Sequence, residues 1–198
     1  MLVGEASGGE EERLGLPFVG SSGKELTTLL GEAGIDREEC YLTNVFLDRP
    51  KGNKFHFEWC RGKKEVSDEY KEILPQLHKA CPTYPWPNTY TWASVAQGKY
   101  VMPEHLPELQ RLKEEILQVK PNLVVALGGT PLWALLGTGG ITKLRGAVAQ
   151  STLVPGQKVL PAFHPAYVPR RGSSKGEGSN ALPGDSPPGT SYLDTTKP

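Results

Sequence analysis

Gly4-Glu5-Ala6-Ser7-Gly8-Gly9-Glu10-Glu11-Glu12-Arg13-Leu14-Gly15-Leu16-Pro17-Phe18-Val19-Gly20-Ser21-Ser22-Gly23 follows the short apolar run Met1-Leu2-Val3 and leads into an amphipathic segment, Lys24 to Ile35. The order is strand, glycine-rich loop, helix. Six of the twenty residues quoted are glycine, so backbone there can approach a ligand closely, and the helix start offers unpaired N–H groups to an anion. No G-x-G-x-x-G opens the helix, and Gly20-Ser21-Ser22-Gly23-Lys24-Glu25 lacks the G-x-x-x-x-G-K-[ST] spacing of a phosphate loop. A dinucleotide-binding or P-loop protein is therefore disfavoured.

The same alternation continues along the chain. Tyr41 to Phe46 reads as a strand. Leu106, Leu109, Leu112, Ile116 and Val119 recur at helical spacing, and Pro121 closes that helix. Leu123 to Leu127 is apolar on both faces, as a buried parallel strand requires. Gly128-Gly129-Thr130-Pro131 then opens a helix to about Leu136, with Thr130 as the expected N-cap and Pro131 in the first turn. Val159 to Phe163 is the last expected strand. This order predicts a three-layer α/β/α fold with a mostly parallel central sheet. The loops at the strands' carboxyl ends then form the site, which gathers the first glycine-rich loop, Asn44, Gly128-Gly129 and His164.

Composition narrows the class. The chain has 198 residues, 37% hydrophobic, with formal net charge 0, enough for one domain with a real core. Neutrality argues against binding driven by bulk positive charge, so any contact with nucleic acid needs a local patch. One candidate is Arg49, Lys51, Lys54, Arg61, Lys63 and Lys64, which reads equally as a solvated loop. No run approaches the ~20 apolar residues of a membrane span, and no leader is expected before Gly4. The expected compartment is the cytoplasm of a bacterium or phage-infected cell. Cys40, Cys60 and Cys81 form no C-x-x-C pair and are expected as free thiols, with Cys40 buried beside a strand.

Residues 47–102 form a long connection rich in Trp, Tyr and Pro, with one expected helix, Ser67 to Lys79. Its aromatics suit a small core packed on the sheet, the favoured reading, or a platform for unpaired bases. Residues 172–198 are Gly, Ser, Pro and Thr with little apolar content, and are expected to be a disordered tail after a single domain at 1–171.

Three stretches together resemble the uracil-DNA glycosylase superfamily, in its family-4 type and phage relatives. The first is the quoted loop, which matches that family's G-E-A-P-G-x-x-E-D-x-x-G-x-P-F-V-G-x-A-G at Gly4, Glu5, Ala6, Gly8, Glu11, Gly15, Pro17, Phe18, Val19, Gly20 and Gly23. Ser7, Glu12 and Ser22 replace the usual Pro, Asp and Ala. The second is Thr43-Asn44-Val45, and the third His164-Pro165-Ala166-Tyr167. The likeness covers residues 1–46 and 103–171. It implies removal of uracil from DNA by hydrolysis of the N-glycosidic bond, leaving an abasic site. Removal of another modified base and a DNA-binding relative without activity are the alternatives.

The resemblance also implies roles. Asn44 would read the pairing edge of the base, Phe18 would stack on it, and the backbone N–H groups of Glu5 and Ala6 would point towards it. His164 would donate to uracil O2 as charge develops on the leaving base. Glu11 is the best candidate to orient water, because Ala6 stands where family-1 enzymes carry an Asp. Ser21, Ser22, Gly23, Gly129 and Thr130 would meet phosphates at helix starts. Tyr167 would wedge the base stack, and Arg170 and Arg171 would contact phosphates. Family-4 enzymes commonly carry an iron–sulfur cluster on four cysteines. With three dispersed cysteines, this chain is expected to bind no metal and no cofactor, and to act on DNA as a monomer.

Overall fold

In a computed structural model, which describes residues 1–167, the sheet is built from the segments with apolar alternation. Its strands are β1 (Leu2–Ala6), β2 (Leu42–Phe46), β5 (Val124–Leu127), β6 (Ala149–Gln150) and β7 (Lys158–Ala162). They lie in the order β2-β1-β5-β7-β6, and only the β6–β7 pair is antiparallel. A separate two-stranded ribbon joins β3 (Cys60–Arg61) to β4 (Tyr100–Val101).

Successive strand residues point to opposite faces, and the chain uses both. Val3, Val124, Ala126 and Val159 pack in one cluster with Leu109, Leu112 and Ile116 of α5 (Pro107–Val119) and with Trp133 and Leu135 of α6 (Gly129–Leu136). Leu2 and Leu127, beside them in sequence, face the other way. They pack with Phe18 and with Leu26 and Leu30 of α2 (Ser21–Glu32). Helices therefore cover both faces, as the strand–helix alternation predicts.

Boundaries shift where local chemistry overrides periodicity. The expected helix from Lys24 begins three residues earlier, at Ser21, since Gly20 in extended conformation serves as its N-cap. The helix expected at Ser67–Lys79 runs as α4 (Lys63–Ala80), because Glu65 accepts the Gly62 N–H at 2.9 Å and secures an earlier start. Thr130 is not the N-cap of α6. Gly128 holds that place, with φ 107, and Thr130 is the second helical residue. The acidic run, readable as a solvated turn, forms a short helix α1 (Gly9–Leu14), closed by Gly15 at φ 67.

The long connection packs rather than presenting bases with a free aromatic platform. It holds α3 (Phe55–Glu58), α4 and the ribbon. Trp86 and Tyr90 are buried, and Phe55, Tyr70 and Val101 belong to the same cluster as the sheet's α5–α6 face. Trp133 Nε1 donates to Ala93 O at 2.8 Å, which ties the connection to α6. Cys60, not Cys40, is the buried thiol. Cys40 follows a turn at Arg37–Glu39 and is half-buried, its Sγ 3.4 Å from Asp36 O. The expected tail at 172–198, the domain limit at 171, and Arg170 and Arg171 lie outside the described residues. No helix among those described is long and apolar enough to cross a membrane.

Trp133 is 2% exposed, and it links sheet, α6 and connection. Trp133→Ala is expected to lower unfolding free energy by about 3–5 kcal/mol, through lost burial, a cavity and an orphaned carbonyl. Urea denaturation of the two proteins measures it, and a loss below about 1 kcal/mol would show that the connection is not anchored there.

Candidate functional site

The carboxyl ends of β1, β2, β5 and β7 open onto a cavity of about 160 Å³ lined by Glu5, Ala6, Ser7, Gly8, Glu11, Phe18, Ser22, Asn44, Pro50, Asn53 and His164. Residues from distant parts of the sequence meet there through strand register. Gly4 pairs with Asn44 across β1–β2, and Leu127 with Ala162 across β5–β7. Gly128 N–H then donates to Ala162 O at 2.9 Å, which sets His164 at the same level.

Three glycines make room for this arrangement. A Cβ on Gly4 would lie 2.3 Å from Asn44 Oδ1 and 2.6 Å from Phe18 Cζ. The amide and the ring therefore share the space a side chain at position 4 would fill. Phe18 is 6% exposed and adopts φ 55, a left-handed conformation unusual for an aromatic residue. Its carbonyl accepts a bond from Arg37 Nη2 at 2.8 Å. A Cβ on Gly23 would come within 1.8 Å of that same oxygen. Gly128, at φ 107, lets the His164 Cβ approach to 3.4 Å of its own missing Cβ.

Asn44 is buried at the sheet edge. Arg111 Nη2 donates to its carbonyl at 2.7 Å and to Val45 O at 2.8 Å, while Nε binds Glu108 at 2.7 Å. Its backbone is thus held from outside the pocket. Among the described residues the Asn44 side-chain amide has no hydrogen-bond partner.

His164 Nδ1 accepts the Ala166 N–H at 3.2 Å. In the neutral ring the proton then resides on Nε2, making that nitrogen a donor. Burial pushes its pKa below the ordinary 6.5, and the Glu5 carboxylate pulls the other way. The Glu5 carboxylate is itself held by Thr130, whose hydroxyl donates to Oε2 at 2.5 Å.

The expected site residues separate into groups. Glu5, Ala6, Phe18, Asn44, Glu11, Ser22 and His164 all line the cavity. Glu11 Oε1 accepts the N–H groups of Val19 and Gly20 at 3.1 and 2.9 Å, so it braces the turn before α2 as well as facing the pocket. Ser21 is exposed at the start of α2. Gly23 does not offer its amide to a phosphate, since that N–H donates to Gly20 O at 3.1 Å and the residue is buried against Phe18. Thr130 is likewise buried and committed to Glu5, not presented to a phosphate. Gly129 is half-buried beside it. Tyr167 is 81% exposed. The Glu5 side chain, Arg37, Arg111, Pro50 and Asn53 were not legible as site residues. The turn signature Arg49-Pro50-Lys51-Gly52-Asn53, directly after the second strand, is the signal that marks the last two.

Among the described residues no three His, Cys, Asp or Glu side chains gather as metal ligands. Cys40, Cys60 and Cys81 are free and lie on separate elements. Burial pushes the Cys60 thiol pKa up to about 12. These cysteines do not fit an iron–sulfur site.

Comparison with known proteins agrees with this geometry. Residues 1–181 match the family model described as the uracil DNA glycosylase superfamily. The chain is 30% identical over 177 residues to a type-4 uracil-DNA glycosylase of Thermotoga maritima, covering 88% of this chain and 68% of that protein. It is 48% identical over 54 residues to a type-4 uracil-DNA glycosylase of Archaeoglobus fulgidus, 27% of each chain. The Pyrobaculum aerophilum type-4 enzyme is 44% identical over 54 residues, covering 27% of this chain and 28% of that one.

The His164 surroundings set a sign. Above pH 6.5 the ring is neutral in folded and unfolded chains alike. As pH falls below that, the unfolded chain takes up a proton that the folded one resists, so stability drops until pH reaches the folded pKa. Glu5→Gln removes the carboxylate that favours the proton and is expected to lower the His164 pKa further. Histidine NMR titration measures both values, and a rise in the Glu5→Gln protein would show that the carboxylate does not act on the ring.

Proposed function

The chain belongs to the uracil-DNA glycosylase superfamily, and from that membership we infer that it is a monofunctional uracil-DNA glycosylase, acting as a hydrolase on DNA in base-excision repair. The observation that carries the site assignment is the joint placement of a free buried amide, Asn44, and an Nε2–H donor, His164, at one cavity beside an aromatic ring.

The target nucleotide leaves the base stack and its base enters the cavity. Phe18 stacks on the ring. The Asn44 amide donates to uracil O4 and accepts from N3–H. Cytosine carries an amino group and a bare nitrogen there, which reverses both bonds and leaves buried polar groups unpaired. The N1–C1′ bond then breaks, its electron pair passing to the base and spreading onto O2. The neutral His164 donates to O2 as that charge forms, in a site where burial strengthens the interaction. Water adds to C1′ of the cationic sugar and loses a proton, giving free uracil and an abasic site. Glu11, braced by two backbone amides, orients that water, and the dissociative step needs little help from a base. A monomer in the cytoplasm suffices for this chemistry. Among the described residues no lysine lines the cavity to form a Schiff base, and strand cleavage should require alkali.

Single-turnover assays on an oligonucleotide carrying one uracil, followed by alkaline cleavage, test this reading. His164→Ala is expected to slow base release by about 100-fold or more, the usual loss for one charge-stabilising donor, with much less change in affinity for abasic-site DNA. Asn44→Ala should slow release and narrow the preference for uracil over cytosine. A His164→Ala protein with near-normal single-turnover rate would remove His164 from its role, and wild-type protein that releases no uracil would overturn the activity itself.

A further inference from the structure

From Ile116 to Gly176 the sequence holds no aspartate or glutamate, yet seven lysines and arginines stand in it. In a chain of zero net charge, the acid excess must lie elsewhere. Glu10, Glu11 and Glu12 belong to α1 beside β2, and Glu108 and Glu115 flank Arg111 at the outer edge of that strand. Acids thus stand on α1 and at the β2 edge, whereas β5, β6, β7 and the segments between them carry none.

Of the basic patch readable at 49–64 the two arginines are engaged, while Lys51, Lys54, Lys63 and Lys64 are exposed. Arg49 bonds Glu12 at 3.0 Å and Asn53 at 2.7 Å, and Arg61 gives its guanidinium to the carbonyls of Phe57 and Cys60, each at 2.8 Å. Arg37 is spent on the carbonyls around Phe18, and Arg13 and Arg111 pair with carboxylates. Arg145 differs. Its Cζ stands 4.6 Å from the centroid of Phe163, the residue before His164, and Nη1 is anchored on Thr142 O. Gly146 N–H donates to Pro161 O at 2.9 Å, which lays the short helix α7 (Ile141–Leu144) along the carboxyl half of β7. Phe163 is 40% exposed. Among the described residues neither Arg145 nor exposed Lys143 pairs with a carboxylate.

We propose that Arg145, held over the Phe163 ring, is a phosphate-binding site for the DNA strand that carries the target base, gripping a phosphodiester next to the extruded nucleotide. The proposal rests on the glycosylase reading above for its choice of ligand. A guanidinium pre-ordered on a ring loses little freedom on binding and matches phosphate oxygens in a fork. No acidic residue of β5, β6, β7, α6 or α7 adds repulsion as the strand arrives. The strand then runs on the β7 side of the cavity, away from α1 and the acidic edge of β2.

The test is binding of a duplex with an abasic-site analogue, titrated by fluorescence anisotropy at several salt concentrations. Arg145→Met keeps the apolar stem over Phe163 and is expected to weaken binding about tenfold at low salt and to reduce the log–log salt slope by about 0.9, one phosphate contact. Arg145→Lys should keep the slope with part of the affinity. Lys158→Met, which removes equal charge at the amino end of β7, should leave both unchanged. If Arg145→Met does not fold, Phe163→Leu decides, with weaker binding at an unchanged slope. A wild-type slope in Arg145→Met, or an equal loss in Lys158→Met, overturns the contact. Wild-type protein that binds this duplex with the Arg145 dependence but releases no uracil would instead retain the contact and overturn the activity.

Discussion

No side-chain carbon can stand at position 4. Asn44 Oδ1 and the Phe18 ring edge both occupy the volume it would take, and the rest of the site is arranged around that shared space. The register of β1 against β2 places Asn44 opposite Gly4. The left-handed turn at Phe18 brings its ring in from the other side. Neither group could enter alone without leaving the other unsupported. A strained backbone of this kind costs on the order of 1–3 kcal/mol and survives only where neighbours over-determine it. Here they do: Arg37 binds the Phe18 carbonyl, Gly23 leaves room for it, and Glu11 holds the next two amides.

That support explains why a pocket floor can be both polar and rigid. Among the described residues the Asn44 amide has no protein partner, and holding such a polar group away from bulk water is costly unless it is hydrogen-bonded. It is tolerable when the fold fixes it from behind, as Arg111 does for the Asn44 backbone. The same economy appears at His164. The backbone N–H of Ala166 selects the tautomer, burial keeps the ring neutral, and Glu5 with Thr130 sets the local field. Asn44 and His164 are thus each positioned by neighbouring residues.

Charge is distributed with the same separation of tasks. Acidic groups gather on α1 and along β2, where they order arginines. The last third of the sheet lacks them altogether. Net neutrality over the chain therefore hides an uneven distribution of charge along it. The long connection between β2 and α5 contributes much packing, since its tryptophans and tyrosines fuse with the core and its first turn, at Pro50 and Asn53, walls the cavity.

Local sequence determined the strands, because continuous or alternating apolar runs such as Leu123 to Leu127 have few other ways to be buried. It also determined the loops at their carboxyl ends, and with them Phe18, Asn44 and His164, since those stretches match whole motifs. Only the tertiary structure decided what Thr130, Gly23 and Arg111 do. Thr130 looked like a helix cap and instead holds Glu5, a residue 125 positions away. Gly23 looked like an anion-binding helix start and instead clears the Phe18 carbonyl. Arg111 belongs to no motif and yet holds the Asn44 backbone. For Thr130 and Arg111 the deciding partner is remote in sequence, and for Gly23 it is a carbonyl that only the left-handed turn at Phe18 brings close. Periodicity and capping rules see only a few residues along the chain, whereas hydrogen-bond partners and excluded volume are set by how strands and helices stack.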